Sequence, residues 1–238
     1  MPAAQPRPWQ DDWFRSARKR RMQAWRGVES QHVSATMKLV DSIQEHEALE
    51  AMLESSKPPL PRGASGLHYL LSTPFRYAPP HASRFRRGGE AGVWYGAESL
   101  HAACAEIAYW RYRFIIDSAG LAKEDGELVT THTFFSAPVD GRAIDLTRPP
   151  WLEQGEVWTH PVGYSGTQAL AAAARDRGVE WIRYASVRHE GACCAAVLSP
   201  SALAAGAPTG QQEWTCRATR HRVMFHSRPG GVSFSWDF

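Results

Sequence analysis

An α+β fold, with helices in the first half and strands crowding the second, is what this sequence predicts. Three observations lead there. Apolar residues recur every three or four positions at Val33, Met37, Val40 and Ile43, and again at Leu49, Met52 and Leu53. A capped apolar stripe follows from Ser99, and from Glu127 onward short β-branched or aromatic runs alternate with turn residues. The 238-residue length fits one domain, or one domain with an added segment, and is enough to bury a core without disulfide or metal staples.

The elements can be justified in order. Residues 1–26 hold Arg7, Arg15, Arg18, Lys19, Arg20, Arg21 and Arg26 against Asp11 and Asp12, a pattern that reads as a solvated helix face, with a nucleic-acid-binding arm as the alternative. The periodic stretch from Val33 is closed by Pro58, Pro59 and Pro61, so residues 1–61 are expected to form an N-terminal helical element packed on a body spanning 62–238. Residues 62–97 are rich in Gly, Pro, Arg and aromatics, with short strand-like pieces at His68–Ser72 and Gly92–Gly96. Leu100, Ala103, Ile107, Trp110 and Phe114 then form one helical stripe behind Ser99. Strands are predicted at Glu127–Phe135 and Arg142–Leu146, and a helix over Thr167–Arg177 that Gly178 stops. Further strands are predicted at Val179–Ala185, Cys193–Leu198, Glu213–Ala218, Arg222–His226 and Val232–Trp236, the last two joined by a turn at Pro229-Gly230-Gly231.

Composition excludes several classes of protein. With 43% hydrophobic and 21% charged residues the chain is neither disordered nor low in complexity. A net charge of +3 does not by itself call for a polyanionic partner. No apolar run approaches a membrane span and the N-terminus lacks a signal-peptide core, so a soluble, cytoplasmic protein without a membrane partner is expected. Cys104, Cys193, Cys194 and Cys216 show no CxxC spacing and read as reduced, buried thiols, with no metal site expected. Phosphate-binding loops, HExxH and GxSxG are all missing from the sequence, and its ten histidines are scattered.

Three local features remain as candidates for chemistry. Glu106 lies inside Ala102-Ala103-Cys104-Ala105-Glu106-Ile107-Ala108, where a carboxylate needs a partner or a task; pairing with Arg113 is the purely structural alternative. Tyr184-Ala185-Ser186-Val187-Arg188 closes a predicted strand, the kind of place that presents polar groups to a cleft. Arg84-Phe85-Arg86-Arg87-Gly88-Gly89 interleaves arginine and glycine, which suits an anionic ligand as well as it suits a flexible surface loop.

Together, Ser83-Arg84-Phe85, Gly92-Val93-Trp94-Tyr95-Gly96, Ser99, Ala105-Glu106 and Tyr184-Ala185-Ser186-Val187-Arg188 resemble the RES domain family, over roughly residues 25–200. The arginine, glutamate and serine that name the family correspond to Arg84, Glu106 and Ser186, and its tyrosine to Tyr95. Thr73-Pro74-Phe75-Arg76-Tyr77 and Trp25-Arg26-Gly27-Val28-Glu29 resemble a longer subgroup. Arg84 stands one residue further from Tyr95 than the family spacing and Arg86 one residue nearer, so either can be the family arginine; Glu190-Gly191-Ala192-Cys193-Cys194 also departs from the usual segment after the serine.

The resemblance implies a mixed, split β-core like that of diphtheria-type ADP-ribosyltransferases, and makes residues 62–238 an NAD-binding catalytic domain. It implies an NAD-consuming toxin paired with a helix-turn-helix antitoxin, with self-association left open. Such an enzyme cleaves the nicotinamide–ribose bond of NAD as a glycohydrolase or, with phosphate as acceptor, a phosphorylase; NAD is then substrate and no metal takes part. Glu106 would oppose the positive charge developing on the ribose, Arg84 would neutralise the diphosphate with Arg76 and Arg86 as further contacts, and Tyr95 and Ser186 would hold the nicotinamide ribose or Glu106. Transfer to a protein acceptor, an inactive binding module of the same fold, and nucleic-acid binding through the basic N-terminus are the alternatives.

Overall fold

The computed structural model describes residues 7–30, 35–123, 126–203, 205–227 and 230–238; Val33 and Pro229 lie outside them. The strands are β1 (Arg18–Glu29), β2 (Trp94–Ala97), β3 (Glu127–Asp145), β4 (Trp181–Ala185), β5 (Cys193–Val197), β6 (Thr209–Thr219), β7 (Arg222–Ser227) and β8 (Ser233–Asp237). The helices are α1 (Ile43–Ser56), α2 (Tyr69–Arg76), α3 (Leu100–Asp117), α4 (Gly155–Trp158) and α5 (Ser165–Asp176). This is the α+β architecture expected, with a helical element in the N-terminal region.

One long strand organises the sheet. Along one edge β3 pairs with β1 from His132 to Ala143. Along its other edge it pairs antiparallel with β6 up to Ser136 and then parallel with β4 from Ala143. The sheet therefore forks at β3. One branch runs through β6, β7 and β8; the other runs through β4, β5 and β2 and returns to β1, closing a five-stranded ring. The return is slight, since β1 and β2 pair only at Trp25 and Ala97.

Side-chain parity sorts the core onto the two faces of this sheet. Phe135, Ala137, Val139, Trp181, Ala195 and Val197 pack together on one side, whereas Phe134, Ile144, Ile182, Tyr184, Cys194 and Ala196 pack toward α3 and α5 on the other. The four cysteines are free and buried.

Several expectations are corrected. Residues 18–29 are a strand rather than a helix face: Met22 and Ala24 are buried between exposed Arg21 and Gln23, a period of two that the surrounding charges hide. The two strands expected at Glu127–Phe135 and Arg142–Leu146 are parts of continuous β3. Pro138 is tolerated because it falls where β3 has left β6 and has not yet met β4, so only one edge there is paired. His68–Ser72 is not a strand; His68 accepts a hydrogen bond from the Leu70 amide and starts α2, which buries Leu70, Leu71 and Phe75. Helix α1 does form behind its Ser42 cap, but none of its residues is buried, and Ile43 and Met52 face solvent. In α3 the Ser99 hydroxyl accepts from the Ala102 amide at 3.1 Å as predicted; Ala102, Ala103, Cys104, Ala105, Ala108 and Ile115 are buried, so Ala103 of the expected stripe is in the core, with Leu100 and Ile107 packed against it, while Trp110 and Phe114 are exposed.

Candidate active site

The cavity of about 440 Å³ on the α3 side opens where β1 and β2 part. Its lining includes Arg26 and Gly27 from β1, the turn Ser83, Arg84 and Arg86, Tyr95 from β2, Glu106 and Trp110 from α3, and Tyr164, Tyr184, Arg188 and Cys194. Among these residues Glu106 is the one carboxylate, in a lining that also holds four arginines. Such a basin favours an anionic ligand while keeping one spot for positive charge.

Glu106 is held by Ser186, whose hydroxyl donates to Oε1 at 2.6 Å. Ser186 Oγ in turn accepts the backbone N–H groups of Arg188 and His189, each at 3.1 Å. Both lone pairs of Ser186 Oγ are thus occupied, and its single proton is left for the carboxylate. The local sequence explains this: the β4–β5 connection turns through Gly191 at φ +78°, which folds residues 186–190 back over the serine. Cys194 Sγ lies 3.8 Å from Glu106 Oε1, and burial, then the nearby carboxylate, raise its thiol pKa well above the usual range, so it is a neutral wall. Arg113 pairs with Asp117 instead of Glu106.

The arginine turn is fixed from several sides. Ser83 and Arg86 exchange backbone hydrogen bonds of 2.8 and 3.2 Å. Tyr95 hydroxyl accepts the Phe85 amide at 3.0 Å and lies 2.9 Å from Ser83 Oγ, while burial raises its pKa. From α5, Gln168 donates to the Ser83 and Arg86 carbonyls and Thr167 to that of Arg84. The two candidate arginines differ sharply. Arg86 is only 6% exposed and donates to the carbonyls of Pro79, His81 and Arg87. Arg84 engages only Nη1, with the carbonyls of Trp158 and His160, and stacks 4.9 Å over Tyr164; its Nε and Nη2 carry no hydrogen bond among the described residues. Arg76 is not in the cavity: it joins α2 to α1 through Glu54 and the Pro58 carbonyl.

Arg26, which the sequence offers as one of a basic run and as part of the Trp25–Glu29 segment, lines the cavity. It projects beside β2, its Nη1 donating to the Tyr95 carbonyl at 3.0 Å just where the backbone ladder between β1 and β2 stops. Its Nε is buried without a partner among the described residues, and burial lowers its pKa to about 10, so it stays charged at neutral pH. The signal was the alternation of Met22, Ala24 and Arg26 on one strand face. Of the same basic run, Lys19 pairs with Asp140 and Arg20 with Asp145. Trp110, which the sequence places on the apolar stripe of α3, lines the cavity instead, and Tyr164 has no sequence signal beyond being aromatic.

The chain matches the model of the RES domain over residues 60–219. It belongs to the RES domain family. The RES match contains the arginine turn, Tyr95, Glu106 and Ser186, whereas β1 with Arg26 and strand β8 lie outside it. No curated protein matches the sequence. Among solved structures, the fold is similar to a chain of the M. tuberculosis MbcT–MbcA toxin–antitoxin complex, at 13% identity and a TM-score of 0.50, covering 89% of this RES chain and 94% of that one. No helix of the described residues is long and apolar enough to cross a membrane, and no group of three His, Cys, Asp or Glu among them is placed to hold a metal ion.

Proposed function

We propose that the cavity cleaves the nicotinamide–ribose bond of NAD and that the protein acts as a toxin restrained by an antitoxin. The observation that carries this reading is a single carboxylate, Glu106, oriented by Ser186 within a basin of arginines. NAD carries a negative diphosphate and a positive nicotinamide ring, and breaking the glycosidic bond develops oxocarbenium character on the ribose. Arg84, with Nε and Nη2 free of protein partners, and Arg26 suit the diphosphate. Glu106 suits the sugar cation, and its fixed orientation avoids reorganisation as charge develops. Arg86 and Tyr95 shape the turn that presents Arg84. Water or phosphate is the proposed acceptor. Membership of the RES family and the likeness to a toxin–antitoxin chain support the biological role.

The test is nicotinamide release from NAD by the purified protein, with and without phosphate. Glu106→Gln is expected to remain folded and lose on the order of a hundred- to a thousand-fold in turnover. Expression alone is expected to lower cellular NAD and arrest bacterial growth, and co-expression with a helix-turn-helix antitoxin is expected to restore both. Unchanged turnover in a folded Glu106→Gln protein overturns the assignment.

A further inference from the structure

The turn that holds Glu106 is itself held from outside the cavity. His189, whose backbone N–H donates to Ser186, places its ring against α3: His189 Nε2 lies 2.7 Å from His101 Nδ1. Its other ring nitrogen, Nδ1, lies 2.9 Å from the Glu190 carbonyl, which can only accept, so His189 carries its proton on Nδ1. His189 Nε2 is therefore the acceptor and His101 Nδ1–H the donor. His101 is braced in turn by β8, stacked on Trp236 at 5.3 Å and edge-on to Phe234 at 4.6 Å.

The connectivity makes this contact more than surface packing. His101 and Glu106 are on the same helix, and Ser186 and His189 are on the same turn. Two hydrogen bonds thus join α3 to the turn: Ser186 to Glu106 inside the cavity, and His101 to His189 on the rim. The outer one limits how far the turn can tilt, and so fixes the distance and direction of the inner one.

We propose that His101 and His189 are positioning residues, a clip between α3 and the 186–190 turn that keeps Ser186 aimed at Glu106. The proposal rests on the reading of Glu106 as the group facing the reacting sugar, and it predicts a loss in turnover rather than in substrate binding, because Arg26 and Arg84, the arginines proposed for the diphosphate, lie on other elements. It also gives the C-terminal strand, which lies beyond the residues matched to the RES domain, a task at the site.

Two substitutions separate the hydrogen bond from the ring contacts. His101→Phe keeps an aromatic ring against Trp236 and Phe234 but cannot donate. His101→Asn keeps an N–H near the position of Nδ1 and gives up the ring. In His101→Phe, the Arg188 and His189 amides are expected to exchange hydrogen faster than in the wild type, and kcat for NAD cleavage to fall about ten-fold with KM within about two-fold. His101→Asn is expected to restore most of both. The reverse ranking, equal loss in the two variants, or no change in either, overturns the clip. If the wild type releases no nicotinamide, the NAD reading fails, and amide exchange in the two variants still decides whether the clip exists.

Discussion

Arginine is a poor guide to function until its partners are counted. Arg84 and Arg86 are two residues apart and both line the cavity, yet Arg86 is engaged by three backbone carbonyls whereas Arg84 keeps Nε and Nη2 clear. Arg84→Lys is therefore expected to leave thermal stability nearly unchanged and raise KM for NAD about ten-fold or more, since an ammonium cannot make a paired contact with a diphosphate. Arg86→Lys is expected to lower the melting temperature, because carbonyls in the turn lose their donors. Thermal melts beside NAD kinetics separate the two, and the opposite ranking makes Arg86 the ligand contact. His132 carries a second residue-level prediction. It is 1% exposed, its Nδ1 has no partner among the described residues, and burial, followed by the charge of Arg111, lowers its pKa from 6.5 to about 4. The folded state thus binds fewer protons than the unfolded one. The stability His132 contributes is complete above pH 6.5 and declines as pH falls toward 4, by up to about 3 kcal/mol. Denaturant titrations across that window are expected to show the decline in the wild type and a flatter response in His132→Phe.

At the scale of elements, local rules were legible where they acted alone. The Ser99 cap, the Gly178 stop and the C-terminal strands could be read because each depends on residues within a turn or two. Strand β1 could not, because its pairing partner is more than a hundred residues away and its charges neutralise acids on other strands. Glu106 and Ser186 were each legible as candidates, but the hydrogen bond between them spans 80 residues and belongs to the fold. The same logic governs the far end of β3. Asp145, 4% exposed, lies within 3.3–3.7 Å of Arg20 from β1, Arg183 from β4, and Arg148. One carboxylate therefore ties three segments together where the sheet changes from antiparallel to parallel pairing. Asp145→Asn is expected to cost about 2 kcal/mol, below the roughly 3–5 of a fully sealed pair because the arginines reach water. The denaturation midpoint measures it, and no change means the three arginines are satisfied by solvent.

For the whole molecule, the region matched to the RES domain is not the same as the unit that folds. A fragment spanning residues 60–238 retains that region but lacks β1. It would leave the edge of β3 from His132 to Ala143 without its partner, a long unprotected template for another strand. Such a fragment is expected to aggregate on expression, and light scattering would detect this; a monodisperse, folded fragment refutes it.

The five-stranded ring closes at a single residue pair, Trp25 with Ala97, and the cavity opens at that point. The weakest joint of the sheet and the proposed ligand site therefore coincide. A molecule bridging Arg26 on β1 and Arg84 beside β2 would act as a rivet across that joint. Occupancy is then expected to slow amide exchange first around residues 25 and 97. At a ligand concentration about a hundred times its Kd it would add about 2.7 kcal/mol to the stability of the whole sheet. The empty barrel would be readily opened, and the occupied one would be a different object to a protease.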